Sequence, residues 1–170
     1  MAVVINGNGT VTGLTSLPSS AMASDSVIQQ VSATFAAATD NSDAATSSTY
    51  SDNGITATIT PSSGSKILIL LEGVAFGLQS SSTNVSYFIN LVGTPVGGSA
   101  TQHRETQMRV SSGGSGTHRL FDSWNINFMH THGLNGSTAI TYKSQTKTED
   151  AERAWARYRG ASIVLLELKG

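Results

Sequence analysis

YSDNGITATITPSSGSKILILLEGVAF, residues 50–76, sets two kinds of strand side by side, and the contrast between them decides the fold. In its first half Ile55, Ala57 and Ile59 alternate with Thr56, Thr58 and Thr60, the period-two pattern of a strand with one face in water. PSSG at 61–64 is turn chemistry. The second half, KILILLE, runs aliphatic from 67 to 71 without alternation, so both faces of this strand require dry surroundings. One face can meet the core. The other needs a second cover, either loops of the same chain or a neighbouring molecule.

The composition agrees with an all-β chain. Ser and Thr together make 45 of 170 residues while charged residues are only 12%, which suits short strands and polar turns better than long solvated helices. There is no cysteine, so disulfides, zinc-thiolate sites and a cysteine nucleophile are excluded. No apolar run approaches the roughly 20 residues of a membrane-spanning helix, and residues 1–20 lack a basic segment followed by an apolar one. The expectation is a soluble chain that enters no membrane. Net charge is −1, yet residues 1–65 hold four aspartates and no Lys or Arg, whereas 66–170 hold all ten basic residues. These are not clustered as a nucleic-acid-binding face requires.

Residues 1–26 show no helical period and carry Asn6-Gly7 as a turn signal between short extended pieces. They read as an extended attachment arm whose apolar anchors are Val4, Ile5, Val11, Leu14 and Leu17, suited to lying on another surface or adding a strand to an exposed edge. The domain occupies 27–170. Its strands are predicted at 27–35, 55–60, 66–71 continuing through 74–78, 85–91, 105–110, 120–132, 139–143 and 161–168, with turn signals between them. The stretch TEDAERAWARYRG at 148–160 is open to two readings. Ala151, Ala154, Trp155 and Tyr158 fall at helical spacing, whereas Arg153, Trp155, Arg157 and Arg159 alternate as on a strand, and the neighbouring strands favour the second.

Eight or nine strands at this spacing imply a jelly-roll-like antiparallel β-sandwich with an N-terminal arm. The doubly apolar strands at 67–71 and 163–168 belong at its centre. A two-layer sandwich covers one face of each sheet, so Leu68, Leu70, Val164 and Leu166 become candidates for an interface between subunits. Trp155 and Tyr158 beside Arg157 join them, because Arg and aromatic residues are enriched at interfaces.

The stretch TYSDNGITATITPSSGSKILILLEG resembles a recurrent module of marine tailed-phage structural proteins. In that module an ITPSS…SKIL stretch precedes a Gly-Ser-rich segment, a Thr-Tyr-Lys strand and a terminal apolar strand. Here those later parts are SSGGSGT at 111–117, AITYK at 139–143 and SIVLLEL at 162–168, and INGNGTVTGL at 5–14 is similar to N-termini of such proteins. The resemblance implies a virion component, tail-fibre-like or simply structural, and a trimer. Its motifs are structural and transfer no catalytic residues. The family's aspartate-proline turn after the long strand is replaced here by HTHG at 130–133.

His130 and His132 are the only pair at metal-like spacing. Residues i and i+2 of a strand share a face, and three copies around an axis would offer six imidazole nitrogens; ordinary packed histidines at a strand end are the competing reading. No G-x-S-x-G elbow, phosphate loop or inferable pair of facing carboxylates occurs. The expectation is therefore a non-enzymatic protein without cofactor on the surface of a virion. It would be anchored through its arm to another virion protein and would decorate the capsid. The alternative is a tail-fibre or appendage component binding a host receptor or glycan.

Overall fold

Wherever the sequence alternates or runs apolar, the chain forms long strands, and the computed structural model describes residues 4–5, 11–12, 21–35, 48–79, 85–110, 118–149 and 154–170. Two two-residue strands in the arm, β1 (Val4–Ile5) and β2 (Val11–Thr12), precede eight longer ones. These are β3 (Val27–Phe35), β4 (Ser51–Ile59), β5 (Lys66–Gln79), β6 (Val85–Pro95), β7 (Thr101–Val110), β8 (His118–His130), β9 (Ile140–Thr148) and β10 (Ala154–Leu168).

The eight strands form two four-stranded antiparallel sheets, ordered β3-β10-β5-β8 and β4-β9-β6-β7. The chain passes from one sheet to the other at every connection except β6–β7, which is a hairpin. This order is that of a jelly roll. The doubly apolar strands β5 and β10 are the two central strands of the first sheet, as their sequences require. Of the stretch 148–160, Thr148 ends β9, residues 150–153 lie outside the described residues, and 154–160 belong to β10, where 154–159 pair with 74–79 of β5, because a central strand rewards backbone pairing that an isolated helical turn would forgo.

The core lies between the sheets. Ile67, Ile69 and Leu71 of β5 and Ile163 and Leu165 of β10 are fully buried. Facing them are Ile55, Ala57 and Ile59 of β4, Ile89 and Leu91 of β6, and Ile140 and Tyr142 of β9. Each such aliphatic side chain stabilises the fold by roughly 1.5–3 kcal/mol. Trp124 of β8 also packs inward at 5% exposure. Its indole lies over Gly73, its register partner on β5, where an added Cβ would stand 2.7 Å from the ring.

In the arm, β1 and β2 pair with each other in antiparallel register, Val4 opposite Thr12 and Ile5 opposite Val11. The Asn6-Gly7 signal falls between them. The remaining anchors, Leu14 and Leu17, lie outside the described residues. Near residue 26 the chain is tied to the domain's C-terminal end, Asp25 N donating to Lys169 O and Lys169 N to Ser26 O.

Candidate functional site: an apolar sheet face and a histidine cluster

Strand alternation sends Leu68 and Leu70 of β5 and Val164 and Leu166 of β10 to the side of the first sheet away from the core. The register aligns them in two rows, Gln30–Leu166–Leu68–Met129 and Ser32–Val164–Leu70–Asn127. All four aliphatics are half-buried, against complete burial of their inward neighbours. Met129 is 43% exposed. The strip is rimmed by exposed Gln30, Ser32, Thr34, Asn125, Asn127 and Glu72, and Ser162 donates to Glu72 Oε1 at 3.0 Å. Four of the seven sequence-predicted interface residues are thus brought together on one surface. For Trp155, Arg157 and Tyr158 the backbone belongs to β10, opposite Leu78, Phe76 and Ala75; their side chains lie outside the described residues.

The outer side of the second sheet is built differently. Asp52 of β4 accepts from Lys143 Nζ at 2.8 Å and Gln145 Nε2 at 2.7 Å across β9. Burial pushes its carboxyl up, but these two hydrogen bonds outweigh that and hold it below the ordinary carboxylate range. Lys147 Nζ sits 4.5 Å from the Tyr50 ring centroid and 4.8 Å from that of Phe88, a cation–π arrangement. The Tyr50 hydroxyl donates to Glu105 on β7, and burial together with that carboxylate raises the phenol above its usual range. Tyr50 therefore links the start of β4 to β7 and β9.

The metal-like pair lies at one end of the sandwich, and its nitrogens serve the fold. Leu134 N donates to His132 Nδ1 at 3.0 Å, which leaves Nε2 as the protonated nitrogen, 3.2 Å from Ser65 Oγ. Ser65 Oγ in turn donates to Ser62 O at 2.8 Å. His130 Nδ1 lies 2.5 Å from the Tyr142 hydroxyl. Burial pushes that phenol up, keeping it protonated as the donor.

A third histidine, His103 of β7, packs against this pair, its ring tilted 50° to that of His130 with 4.3 Å between centroids. Burial, then the neighbouring His103 and His132, depress His130 to about 4. Burial also lowers His103 and His132, the latter against the opposing pull of Glu167. All three rings are neutral at pH 7.

Within one chain His132 uses both ring nitrogens and His130 uses Nδ1. His103 Nε2 points at the backbone of Gly93, where an added Cβ would stand 2.5 Å from it, so the three rings do not converge on one point. Among the described residues no group of three or more His, Asp or Glu could hold a metal ion.

His103 and Glu167 escaped the sequence reading. Glu167 is 2% exposed and accepts from Ser62 N at 2.6 Å; with the Gln29 amide nitrogen turned toward it, Gln29 donates to its other oxygen at 3.0 Å. The available signal was parity. Glu167 continues the inward series Ile163, Leu165, and His103 shares a parity with Met108 only across the bulge opposite Leu91/Val92.

No protein-family model matches the chain, and no curated protein matches it.

Proposed function

We propose that this chain is a non-enzymatic virion protein of a tailed phage, an oligomeric component of the particle surface anchored by its N-terminal arm and serving as capsid decoration. The observation that carries the proposal is the apolar strip of Leu68, Leu70, Val164, Leu166 and Met129 with its polar rim. Contiguous apolar patches rimmed by polar residues mark protein–protein contacts. Further support comes from the motif resemblance and from an arm whose described strands pair with each other and join neither sheet of the domain. The trimer is the assembly the resemblance implies. A tail-fibre or receptor-binding role is the second reading, favoured by the use of jelly rolls in lectin domains.

The copy number of the protein in purified virions separates the two. Decoration requires hundreds of copies per particle, and a tail or fibre role a few to a few dozen. Removal of residues 1–20 is expected to leave a folded oligomer that no longer binds particles. Continued decoration by the truncated protein would defeat the arm's assigned role.

A further inference from the structure

Four Asn-Gly pairs occur in the chain, at 6–7, 8–9, 53–54 and 135–136. The first two lie outside the described residues, and the fold treats the other two in opposite ways. Such pairs carry a latent reaction. The main-chain nitrogen that follows an asparagine attacks the amide carbon of its side chain, and a following glycine, having no Cβ, leaves that approach open.

On β4 the carboxamide of Asn53 is fixed at both ends. Its Nδ2 donates to Ser144 Oγ at 2.7 Å, on a side chain fully buried in β9, and its Oδ1 accepts from Ile55 N at 3.1 Å. The residue is half-buried. Ring closure here has to turn the carboxamide away from two partners that the sheet holds in place. Asn135 lies instead in the loop between β8 and β9, where Asn135, Gly136 and Ser137 are all exposed. Gly136 adopts a φ of 90°, a conformation that glycine accepts without strain. The Asn135 Oδ1 accepts from the Ser137 hydroxyl at 3.0 Å, on a neighbouring exposed side chain that turns with it. Among the described residues nothing holds its Nδ2.

We propose that Asn135 is a self-modification site, at which Gly136 N closes on Asn135 Cγ and converts the residue to a mixture of aspartate and isoaspartate while Asn53 is preserved. In the first step the Gly136 N–Cγ bond forms and the Cγ–Nδ2 bond breaks. The Gly136 amide proton joins the departing nitrogen, which leaves as ammonia. Water then opens the cyclic imide, giving its hydroxyl to one carbonyl carbon and its proton to the nitrogen. Opening at Cγ leaves aspartate. Opening at the main-chain carbonyl carbon of residue 135 leaves isoaspartate, with the backbone running through Cβ and Cγ. No oxidant or reductant is consumed.

Either product adds one carboxylate, which takes the formal net charge from −1 to −2. The isoaspartyl link also lengthens the main chain beside Gly136, where an added Cβ would stand only 3.2 Å from Ser63 N. The site belongs to neither the apolar strip nor the arm, and the reaction does not depend on the proposed virion role.

Peptide mapping by mass spectrometry tests it, on the full chain aged in mildly alkaline buffer either folded or unfolded in urea. Unfolded, the two sites are expected to convert alike, since both are Asn-Gly. Folding is expected to slow Asn53 by about tenfold or more, because both of its hydrogen bonds have to break first, and to leave Asn135 within about threefold of its unfolded rate. Protection of Asn135 to the same degree as Asn53 overturns the proposal, as does conversion of folded Asn53 at the rate of Asn135. The product identifies the route. Ring closure is expected to give two peptides at residue 135, each heavier by one mass unit and eluting separately, whereas aspartate alone would mean direct hydrolysis by water and would overturn the attack by Gly136.

Discussion

The two sheets share a core but finish their outer faces by different means. On the second, Asp52, Lys143 and Gln145 bond across strands, Thr58 and Thr141 hydroxyls meet at 2.8 Å, and Tyr50 reaches over to Glu105. On the first, the corresponding central positions hold Leu68, Leu70, Val164 and Leu166, half-exposed and without polar partners to offer. One face is completed by the chain itself with cross-strand polar pairs. The other keeps apolar surface in water, at a cost that burial against another molecule removes. The outer faces thus separate what the fold needs from what assembly needs.

The sharpest way to break this comparison is to put the same charge on either side of one sheet. Leu165→Asp sets a carboxylate at a fully buried position among aliphatics and is expected to cost more than about 4 kcal/mol, leaving no folded protein by circular dichroism. Leu70→Asp, on the outer side, is expected to fold with monomer stability changed by no more than about 1 kcal/mol while losing assembly by light scattering. Equal loss of folding in both variants would mean that the outer strip belongs to the core.

A smaller effect tests how tightly the inner side is packed. Gly73→Ala brings a methyl within 2.7 Å of Trp124 Cζ2 and 3.0 Å of Ala161 Cβ, and denaturant titration is expected to show a loss of about 1–3 kcal/mol. An unchanged midpoint would show that the indole is free to move.

The smallest effect lies where the sheets meet, at His130 from the first and His103 and Tyr142 from the second. His130 titrates near 4 in the fold against an ordinary 6.5, so below 6.5 the unfolded chain takes up its proton first. The stabilisation is full above that value and is lost as pH falls from 6.5 toward 4. Partial exposure screens the effect, leaving about 1–2 kcal/mol. The thermal midpoint should fall across that window and flatten in His130→Gln; an identical slope in the variant would remove His130 as its cause.

Much of this architecture was legible because strands advertise themselves by parity. The alternation at 55–59 and the continuous runs at 67–71 and 163–168 located β4, β5 and β10 and ranked the last two as central, which the hydrogen-bonding order bears out. Trp124 and Ile126 pointed inward as their alternation required. The strand reading of 154–160 needed its partner on β5 to prevail, since helical spacing of Ala154, Trp155 and Tyr158 is equally present locally. The histidine pair shows the opposite limit. Its spacing is a local fact, but the occupancy of its nitrogens depends on Ser65, Leu134 and Tyr142, of which Ser65 lies 67 residues away from His132.

By itself the sequence determined the all-β class, the strand positions, the two strands with apolar residues on both sides, and the absence of cysteine chemistry, because these follow from periodicity and composition along the chain. Tertiary structure alone decided which strand lies beside which and which side of β5 and β10 is wet. It also decided that His103 joins His130 and His132. Each of these depends on register between strands tens to more than a hundred residues apart, and a one-residue slip would exchange the core and solvent faces without changing a letter of the pattern.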